Sequence, residues 1–251
     1  MLFFALASTI ALRLAGPCTV VALLLVVAPS AAAAPSHPAY LYQETTGRTV
    51  KNFLWSRTSS AGEEVITVNE GDAVFINRCD GAGRTRAWSF REGEQTIVHA
   101  TRTGNQLKIS GTRQGKAIAT TVTVDDRPWF QPLSFSLGAF LASARTKVSF
   151  WMIRSDKLEV VAMQAKKGEV EEIAVAGRKV RAQKVVIRRQ GMLAALWQAA
   201  FWFREDDRIF VRYQGVHGPP GTDETVVQLS QEVLKTSTSP GQAAVGLTGD
   251  P

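Results

Sequence analysis

The chain has 251 residues, of which 45% are hydrophobic and 20% are charged, and its formal net charge is +7. This composition is ordinary for a globular protein and excludes a chain that is disordered throughout. The length is sufficient for one sizeable core, and all-β barrels of this size are often single domains.

The first predicted element is a cleaved secretory signal peptide, residues 1–33. It contains an apolar run followed by small residues, TVVALLLVVAPSAAAA, and the triplet Ala31 to Ala33 fits the small-x-small rule for cleavage. The apolar run is shorter than the about twenty residues of a membrane-spanning helix, and Pro17 before Cys18 argues against a lipid anchor. We therefore expect a periplasmic or secreted protein without a transmembrane span after cleavage.

Export changes how the cysteine content and the net charge are interpreted. Cys79 is the single cysteine after the signal peptide, so an internal disulfide is excluded and stability must come from the core. An exported chain meets little nucleic acid, and we expect no nucleic-acid partner. The basic residues either face an anionic envelope surface or are the solvated faces of strands.

The next region, from Pro38 to about Asp126, predicts an antiparallel meander. Glycine-containing turns recur about every ten residues, and the segments between them are rich in Val, Ile, Thr, Phe and Trp. The alternation within these segments puts Leu107 and Ile109 on one face and polar side chains on the other. Such strands form a sheet that is wetted on one side.

The strand pattern stops at two prolines, and a helix follows. Apolar residues recur at helical spacing from Leu133 through Leu137 and Phe140, which predicts a short apolar helix over Leu133 to Ala144. A helix this apolar must lie on or inside the sheet.

Strands resume after the helix, and several are apolar on both faces. In KVSFWMIR, Val148 and Phe150 point one way while Trp151 and Ile153 point the other, so both faces must be covered. Hairpin turns are predicted at AKKGE and REDDR, and the tail 236–251 is predicted to be disordered. The candidate strands are TKVSFWMIRSD, LEVVAMQAKKG, EVEEIAVAG, RKVRAQKVVIRR, LWQAAFWFRED, RIFVRYQGV and ETVVQLSQE.

Enzyme signatures are absent from the sequence, which has no Gly-x-Ser-x-Gly motif, no phosphate-binding loop and no zinc-ligand spacing. A site with three histidines would need His37, which lies in the N-terminal segment PSHPAY. We therefore predict no catalytic residue, no metal and no cofactor. A hydrolase is the third alternative, and it requires His217 or His99 to meet an acid or Cys79 in a pocket.

Aromatic residues are concentrated in WQAAFWFREDDRIFVRYQG, residues 197–215. They either form the core beneath the helix or line an open cavity, because a curled meander has an interior that can hold an apolar ligand. For the cavity we predict that aromatic residues line the walls. Arg154 either meets a ligand head group or is an arginine at a strand end that reaches water. The predicted ligand-binding residues are Phe135, Phe140, Trp151, Arg154, Phe201 and Phe203.

The stretch from Trp129 to Leu229 resembles secreted bacterial proteins of uncharacterised families. The resemblance is carried by an aromatic strand ending in IRSD, a hairpin, the segment AGRKVRAQKV, and FWF before a charged turn. It implies a curled antiparallel sheet wrapped on a helix, similar in shape to the lipoprotein-carrier half-barrels of the Lol system. It implies no assigned activity, because likeness of fold does not determine function.

These observations predict an all-β fold for residues 34–235, with one large curled antiparallel sheet, barrel or half-barrel, and one short helix packed on or in it. The predicted function is non-catalytic binding of a hydrophobic small molecule or lipid in the concave face of the sheet. The alternative is an envelope scaffold or protein-interaction module with a fully packed core.

Overall fold

The structure is a computed structural model that describes residues 37–191, 198–216 and 222–235. The predicted signal peptide, the predicted disordered tail, Trp197 and His217 lie outside the described residues. Within these ranges the chain forms fourteen strands and one helix. Their bounds are β1 His37–Thr46, β2 Thr49–Ser60, β3 Glu63–Glu70, β4 Ala73–Asp80, β5 Thr85–Glu92, β6 Thr96–Thr103, β7 Gln106–Arg113, β8 Lys116–Thr123, α1 Leu133–Leu141, β9 Lys147–Arg154, β10 Glu159–Val175, β11 Arg178–Arg189, β12 Gln198–Arg204, β13 Phe210–Val216 and β14 Glu224–Lys235.

All fourteen described strands belong to one antiparallel sheet in the order β8-β7-β6-β5-β4-β3-β2-β1-β14-β13-β12-β11-β10-β9. Strand β1 lies in the middle and pairs with both β2 and β14. The sheet is not closed, because β8 and β9 are its two edges and do not pair with each other. The prediction of an all-β fold with a curled sheet and one short helix is confirmed.

The glycine-punctuated turns are the hairpins of the first half of the sheet. At the turn between β2 and β3, Ala61 and Gly62 have φ angles of 49° and 79°. Two consecutive positive φ angles are the geometry of a two-residue hairpin turn that follows the right-handed twist of the strands. Each of the seven turns that connect the first eight strands contains a glycine.

The sheet rolls over itself, and β9 lies where the two layers overlap. Phe150 and Ile153 point to opposite faces of β9, and they belong to two separate apolar clusters. The first, here called the roll core, contains Tyr40, Tyr42, Trp55, Ile66, Phe130, Leu137, Phe140, Val148, Phe150, Val161, Met163, Ala165, Val175, Ala182, Val185, Ile187, Ala199, Phe201, Trp202, Phe203, Phe210, Val211, Tyr213, Val227 and Leu229. The second, here called the overlap layer, contains Trp88, Phe90, Val98, Ala100, Leu107, Ile109, Val124, Trp129 and Ile153.

The overlap layer explains why the sequence after the helix is apolar on both faces. Most of its members come from β5, β6 and β7 on one side and from the outer face of β9 on the other, and Val124 and Trp129 come from the segment between β8 and α1. Trp151 and Val160 pack beside them. The early strands therefore cover the face of β9 that α1 does not reach. The sequence predicted that both faces were covered, but it did not identify β5 to β7 as the second cover.

The segment before α1 closes the overlap at the β9 edge. Trp151 N–H donates to the carbonyl of Pro128 at 2.8 Å, and Phe130 N–H donates to the carbonyl of Trp151 at 2.9 Å. The side chain of Gln131 then accepts from Ile153 N–H at 3.0 Å and donates to the Ile153 carbonyl at 2.8 Å. One edge of the sheet is thus covered by backbone and side-chain hydrogen bonds.

Two predicted boundaries differ from the structure. The helix ends at Leu141 instead of Ala144, because the Ser143 hydroxyl donates to the Phe140 carbonyl and satisfies the end of the last turn. The predicted turn at AKKGE is wrong, since β10 continues through it as one strand of 17 residues. A β-bulge lies between Lys167 and Val170, and the parts of β10 before and after the bulge both pair with β11.

The one described helix has nine residues. None of the helices in the described ranges has the length and apolar character required to cross a membrane.

Candidate functional site

Four of the six predicted ligand-binding residues lie on the inner side of the roll. Phe201 and Phe203 are 7% and 0% exposed, and their rings stack with centroids 6.5 Å apart. Phe140 is 5% exposed, with the Lys167 ammonium 5.2 Å from its ring. Phe135 is half-buried and packs at the margin of the roll core. Phe140, Phe201 and Phe203 are therefore buried in the roll core, which is the first of the two alternatives that the sequence left open for the aromatic residues.

The other two predicted residues are separated from this group. Trp151 packs beside the overlap layer, where its indole N–H donates to Asp125 at 2.8 Å and the Arg127 guanidinium lies 4.1 Å from its ring. Arg154 is held at the end of β9 by ion pairs with Asp156 and Glu159. The structure does not bring the side chains of Trp151 and Arg154 together with the other four predicted residues.

An unfilled space lies at one end of the roll core, between α1, β1, β2 and the turn from β12 to β13. It is a cleft of about 240 Å³, here called the helix cleft, and Phe135 is the predicted residue that lines it. Its lining residues are Pro38, Tyr40, Tyr42, Trp55, Arg57, Gly81, Ser134, Phe135, Gly138, Ala139, Ala142, Asp207, Arg208, Ile209 and Phe210.

Hydrogen bonds and one close contact fix the walls of the helix cleft. Trp55 Nε1 donates to Ser134 Oγ at 3.0 Å, which joins β2 to the first turn of α1. Tyr42 donates its hydroxyl to the Phe210 carbonyl at 2.7 Å, which joins β1 to β13. A Cβ atom at Gly138 would lie 3.1 Å from the carbonyl oxygen of Arg208. Glycine therefore allows α1 to approach the turn that forms the opposite wall.

Aromatic rings form much of the surface of the helix cleft. Tyr40 and Trp55 pack with ring centroids 5.5 Å apart. The Arg57 guanidinium lies 5.0 Å from the Phe135 ring, a cation–π contact. Arg57 also donates twice to Glu64, at 2.8 and 2.9 Å, so its charge is already neutralised. Arg57 thus supports the aromatic wall, and its charge is compensated by Glu64.

Two polar groups at the helix cleft have no hydrogen-bond partner among the described residues: the Tyr40 hydroxyl and the exposed Arg208 guanidinium. Burial, together with the nearby carboxylates of Glu232 and Asp207, raises the pKa of Tyr40, so its hydroxyl stays protonated and can donate. Asp207 is bound by Arg204 and leaves Arg208 uncompensated. Among the residues that the structure describes, Arg208 is therefore the cation at the mouth of the helix cleft that has no ion-pair partner.

Arg208 is held in an uncommon backbone conformation. Its φ angle is 60°, in the left-handed region that non-glycine residues seldom adopt. Hydrogen bonds hold the turn in place, since Arg208 N–H donates to the Arg204 carbonyl at 2.9 Å and Ile209 N–H donates to Asp207 Oδ1 at 3.0 Å. The position of Arg208 at the mouth is therefore fixed by the turn.

A larger hollow of about 560 Å³ lies at the turns between β3 and β4 and between β5 and β6. Its walls carry carboxylates, with a single ion pair between Lys51 and Glu70 at 3.2 Å. In the described ranges no group of three or more His, Cys, Asp or Glu side chains could hold a metal ion. We do not assign a function to this open, charged hollow. Its lining residues are Lys51, Glu70, Asp72, Ala73, Phe75, Phe90, Glu92, Gly93, Glu94 and Gln95.

The residues considered for hydrolysis are not brought together in the part of the chain that the structure describes. His99 is exposed on β6, whereas Cys79 is 0% exposed and contacts Thr85. Burial raises the pKa of the Cys79 thiol to about 12, so it is protonated at neutral pH and is a poor nucleophile. The hypothesis of a histidine and an acid at His217 lies outside the described residues.

Most of the residues that line the helix cleft were not predicted from the sequence. Tyr40, Trp55 and Arg208 lie far apart in the chain and meet only because β1 pairs with β2 and the β12–β13 turn approaches α1. One available signal was the spacing of Tyr40 and Tyr42, which puts two aromatic side chains on one face of β1. Nothing in the sequence distinguished Arg208 from the other charges of its turn.

No protein-family model matches the chain, and no curated protein matches it. Among solved structures, the chain is similar to the β-barrel-like protein of the domain of unknown function DUF1849 from Brucella abortus. The identity is 11% and the TM-score 0.55, over 80% of this chain and 98% of that chain. It also matches the hypothetical lipoprotein YmcC from Escherichia coli K12, with 10% identity and a TM-score of 0.33, over 79% of this chain and 88% of that chain.

The similarity to the Brucella abortus protein confirms the predicted resemblance to uncharacterised bacterial β-barrel-like proteins. At 11% identity it concerns the fold, and likeness of fold alone does not give function.

Proposed function

We propose that this chain is an exported, non-catalytic protein of the cell envelope that binds the apolar part of an anionic amphiphile in the helix cleft. The observation that carries the proposal is an aromatic-walled cleft with an uncompensated arginine at its mouth. Binding sites for small molecules are typically apolar concavities with a few polar groups that fix the orientation of the ligand.

The size of the helix cleft limits what it can hold. Its volume of about 240 Å³ is below the roughly 300–1,000 Å³ of pockets that enclose a drug-sized ligand. We therefore expect one alkyl segment or one ring to insert between Trp55, Phe135 and Ile209, with the remainder of the ligand outside. The sequence-based hypothesis placed the ligand in the concave face, lined by Phe140, Phe201 and Phe203, which do not line the helix cleft.

The charges at the mouth favour an anionic head group. The positive charge of Arg57 is compensated by Glu64, and the negative charge of Asp207 is compensated by Arg204. Arg208 and the hydroxyl of Tyr40 remain as donors. A carboxylate or phosphate at the end of an apolar chain would accept hydrogen bonds from both, and bonds to an ionised acceptor are the stronger kind.

A scaffold without a ligand is the second candidate, and the filled concave face favours it. Phe150 and Phe203 are both 0% exposed, and Phe140 is 5% exposed. A protein whose interior is packed in this way can serve as a rigid platform for other proteins. The two candidates differ in whether the helix cleft is occupied by a ligand.

The proposal is tested by titrating the purified protein with dodecanoate and with dodecanol, using calorimetry. We expect dodecanoate to bind and Ala142→Trp to weaken its binding at least about tenfold, because the indole would fill the helix cleft. The matched control is Ala144→Trp, which adds the same ring at an exposed position outside the cleft lining.

The role of the arginine is tested in the same titration. Arg208→Gln should lower the affinity for dodecanoate to that for dodecanol, whereas Arg178→Gln, an exposed change at a distant turn, should leave both affinities unchanged. Equal binding of dodecanoate by the wild-type chain and by Ala142→Trp would rule out the helix cleft as the site. Absence of binding by the wild-type chain would favour the scaffold.

A further inference from the structure

Exposed cations cluster on the face of β9 to β11 that points away from the roll core. Lys147 on β9 and Lys166 on β10 are partners in the antiparallel ladder, so their side chains lie on the same face. Lys166 is also the partner of Val186 on β11, and Arg188 lies two residues further along that strand on the same face. All three cations are exposed. The surface formed by Lys147, Lys166 and Arg188 is here called the cationic face.

Acidic side chains near the cationic face do not pair with it. Among the described residues, no carboxylate forms an ion pair with any of its three cations. Glu171 on β10 accepts hydrogen bonds from Lys184 and from the indole N–H of Trp202. Glu169, the next acid along β10 after the lysine of the cationic face, is exposed and forms no ion pair within the described ranges. The positive charges of the cationic face are therefore not compensated by ion pairs.

This arrangement of charges is unfavourable in the isolated protein. Like charges on directly opposite residues of an antiparallel pair destabilise a sheet, and Lys147 and Lys166 are such a pair. Arg145, which is exposed and precedes β9, adds a further positive charge next to this pair in the chain. Because an anionic surface would relieve the repulsion, the cluster indicates a partner with negative charge.

Negative charge is concentrated at the other end of β9, in the open hollow at the turns between β3 and β4 and between β5 and β6. Its carboxylates are those of Glu70, Asp72, Glu92 and Glu94. The β7–β8 turn bonds to Gln95 of this hollow, and Arg113 beside that turn donates to the carbonyl of Asp156, just after β9. Strand β9 therefore ends on the side of the hollow and begins, with Lys147, away from it. An anionic surface would attract one end of the protein and repel the other.

We propose that the cationic face docks this protein onto the surface of a membrane that contains anionic phospholipid. An exported protein meets membranes but little nucleic acid, and this choice of partner rests on the proposed export. Lysine and arginine side chains keep their apolar stems on the protein surface while their charges reach outward. Clustered basic side chains are attracted to anionic lipid, and the attraction is lost within a short distance of the surface.

Binding of the protein purified from the periplasm to lipid vesicles, measured by co-sedimentation, tests the proposal. We expect binding to vesicles of phosphatidylglycerol and phosphatidylcholine and none to vesicles of phosphatidylcholine alone. Salt should weaken the binding because it screens the charges. The double variant Lys147→Gln, Lys166→Gln should bind at least about tenfold more weakly, since each basic side chain near an anionic surface contributes about fivefold to the affinity.

The matched control is the double variant Lys108→Gln, Lys116→Gln. It lowers the net charge by the same amount at exposed positions on β7 and β8 and should bind as the wild-type chain does. The double variant Lys147→Arg, Lys166→Arg keeps the charge and should also bind normally. The melting temperature of Lys147→Gln, Lys166→Gln should be no lower than that of the wild-type chain, because the substitutions remove a like-charged pair.

The variant Ala142→Trp separates docking from ligand binding. It fills the helix cleft and leaves the cationic face intact, so it should bind the anionic vesicles as the wild-type chain does. Absence of binding to these vesicles, or equal weakening by the two pairs of lysine-to-glutamine substitutions, would overturn the proposal. Tighter binding to a DNA duplex than to the anionic vesicles would overturn the membrane as the partner.

Discussion

The roll core and the overlap layer are both apolar, but they are built from different partners. In the overlap layer two sheet faces pack on each other, and residues 128–131 close its margin. In the roll core a helix of nine residues packs inside the curled sheet. Such a helix is about 13 Å long, whereas an eight-residue strand spans about 27 Å. The helix therefore covers only part of the concave face, and large aromatic side chains fill most of the rest.

This difference explains where an unfilled space can occur. Two sheets that face each other interdigitate over their whole length. A short helix inside a curled sheet leaves space beside it, and the helix cleft lies along one side of α1, from Ser134 to Ala142. The site is thus a consequence of how the roll core is filled.

The largest expected effect tests whether the concave face is packed. Phe203→Ala should reduce the free energy of unfolding by about 3–5 kcal/mol in urea denaturation, because it leaves a cavity where the side chain is 0% exposed. Phe135→Ala, at the half-buried wall of the helix cleft, should cost about 1 kcal/mol. If both variants lose equally little stability, the interior is loosely filled and the roll core is not the packed region described.

The hydrogen bonds at the margin of the overlap layer should contribute to the free energy of unfolding. Gln131→Leu removes both hydrogen bonds to the backbone of Ile153 and should lower the free energy of unfolding by about 2–3 kcal/mol. Gln95→Leu, at an exposed turn, should change it by less than about 0.5 kcal/mol. Thermal or urea denaturation measures both. A neutral Gln131→Leu would contradict the closure of the β9 edge by residues 128–131.

The fold class was predictable because its signals are local. Alternation in strands such as β7 and glycine-containing turns such as Ala61–Gly62 depend on a few adjacent residues. The helix was predictable from the spacing of Leu133, Leu137 and Phe140. The turn at AKKGE was mistaken for a hairpin because a bulge and a turn use the same polar, glycine-containing composition.

The candidate site was mostly unpredictable because it is assembled by long-range packing. Trp151 shares its aromatic character with Phe203, yet the roll of the sheet puts it on the other face, beside the overlap layer. Phe135 was predicted and does line the helix cleft, whereas Tyr40 and Arg208 were not identified. Whether a ligand occupies the cleft remains a prediction.

The free energy of unfolding should also depend on pH, because the thiol of Cys79 is buried. Burial raises the pKa of Cys79 from its ordinary value of 9.0 to about 12 in the folded protein. A raised folded pKa gives stability that is fully present below pH 9 and is lost as the pH rises toward 12, at about 1.4 kcal/mol per pH unit for one group. Urea denaturation at pH 8, 9, 10 and 11 should show this decline.

The matched variant for this prediction is Cys79→Ala, which has no thiol to ionise. Its free energy of unfolding should fall less steeply above pH 9 than that of the wild-type chain, because it has no buried thiol to ionise. A decline common to both proteins is expected above pH 10, because burial also raises the pKa of Tyr213 from its ordinary value of 10.0. Equal slopes in the two proteins would contradict the burial of Cys79.

The most direct test of the central claim is to identify what the purified protein carries. The full chain would be expressed with its own N-terminus, purified from the periplasm without detergent, and analysed by native mass spectrometry followed by organic extraction. We expect a stoichiometric anionic amphiphile that is absent from Ala142→Trp and present in Ala144→Trp. A clean apo mass for the wild-type chain, unchanged when dodecanoate is added, would contradict ligand binding in the helix cleft.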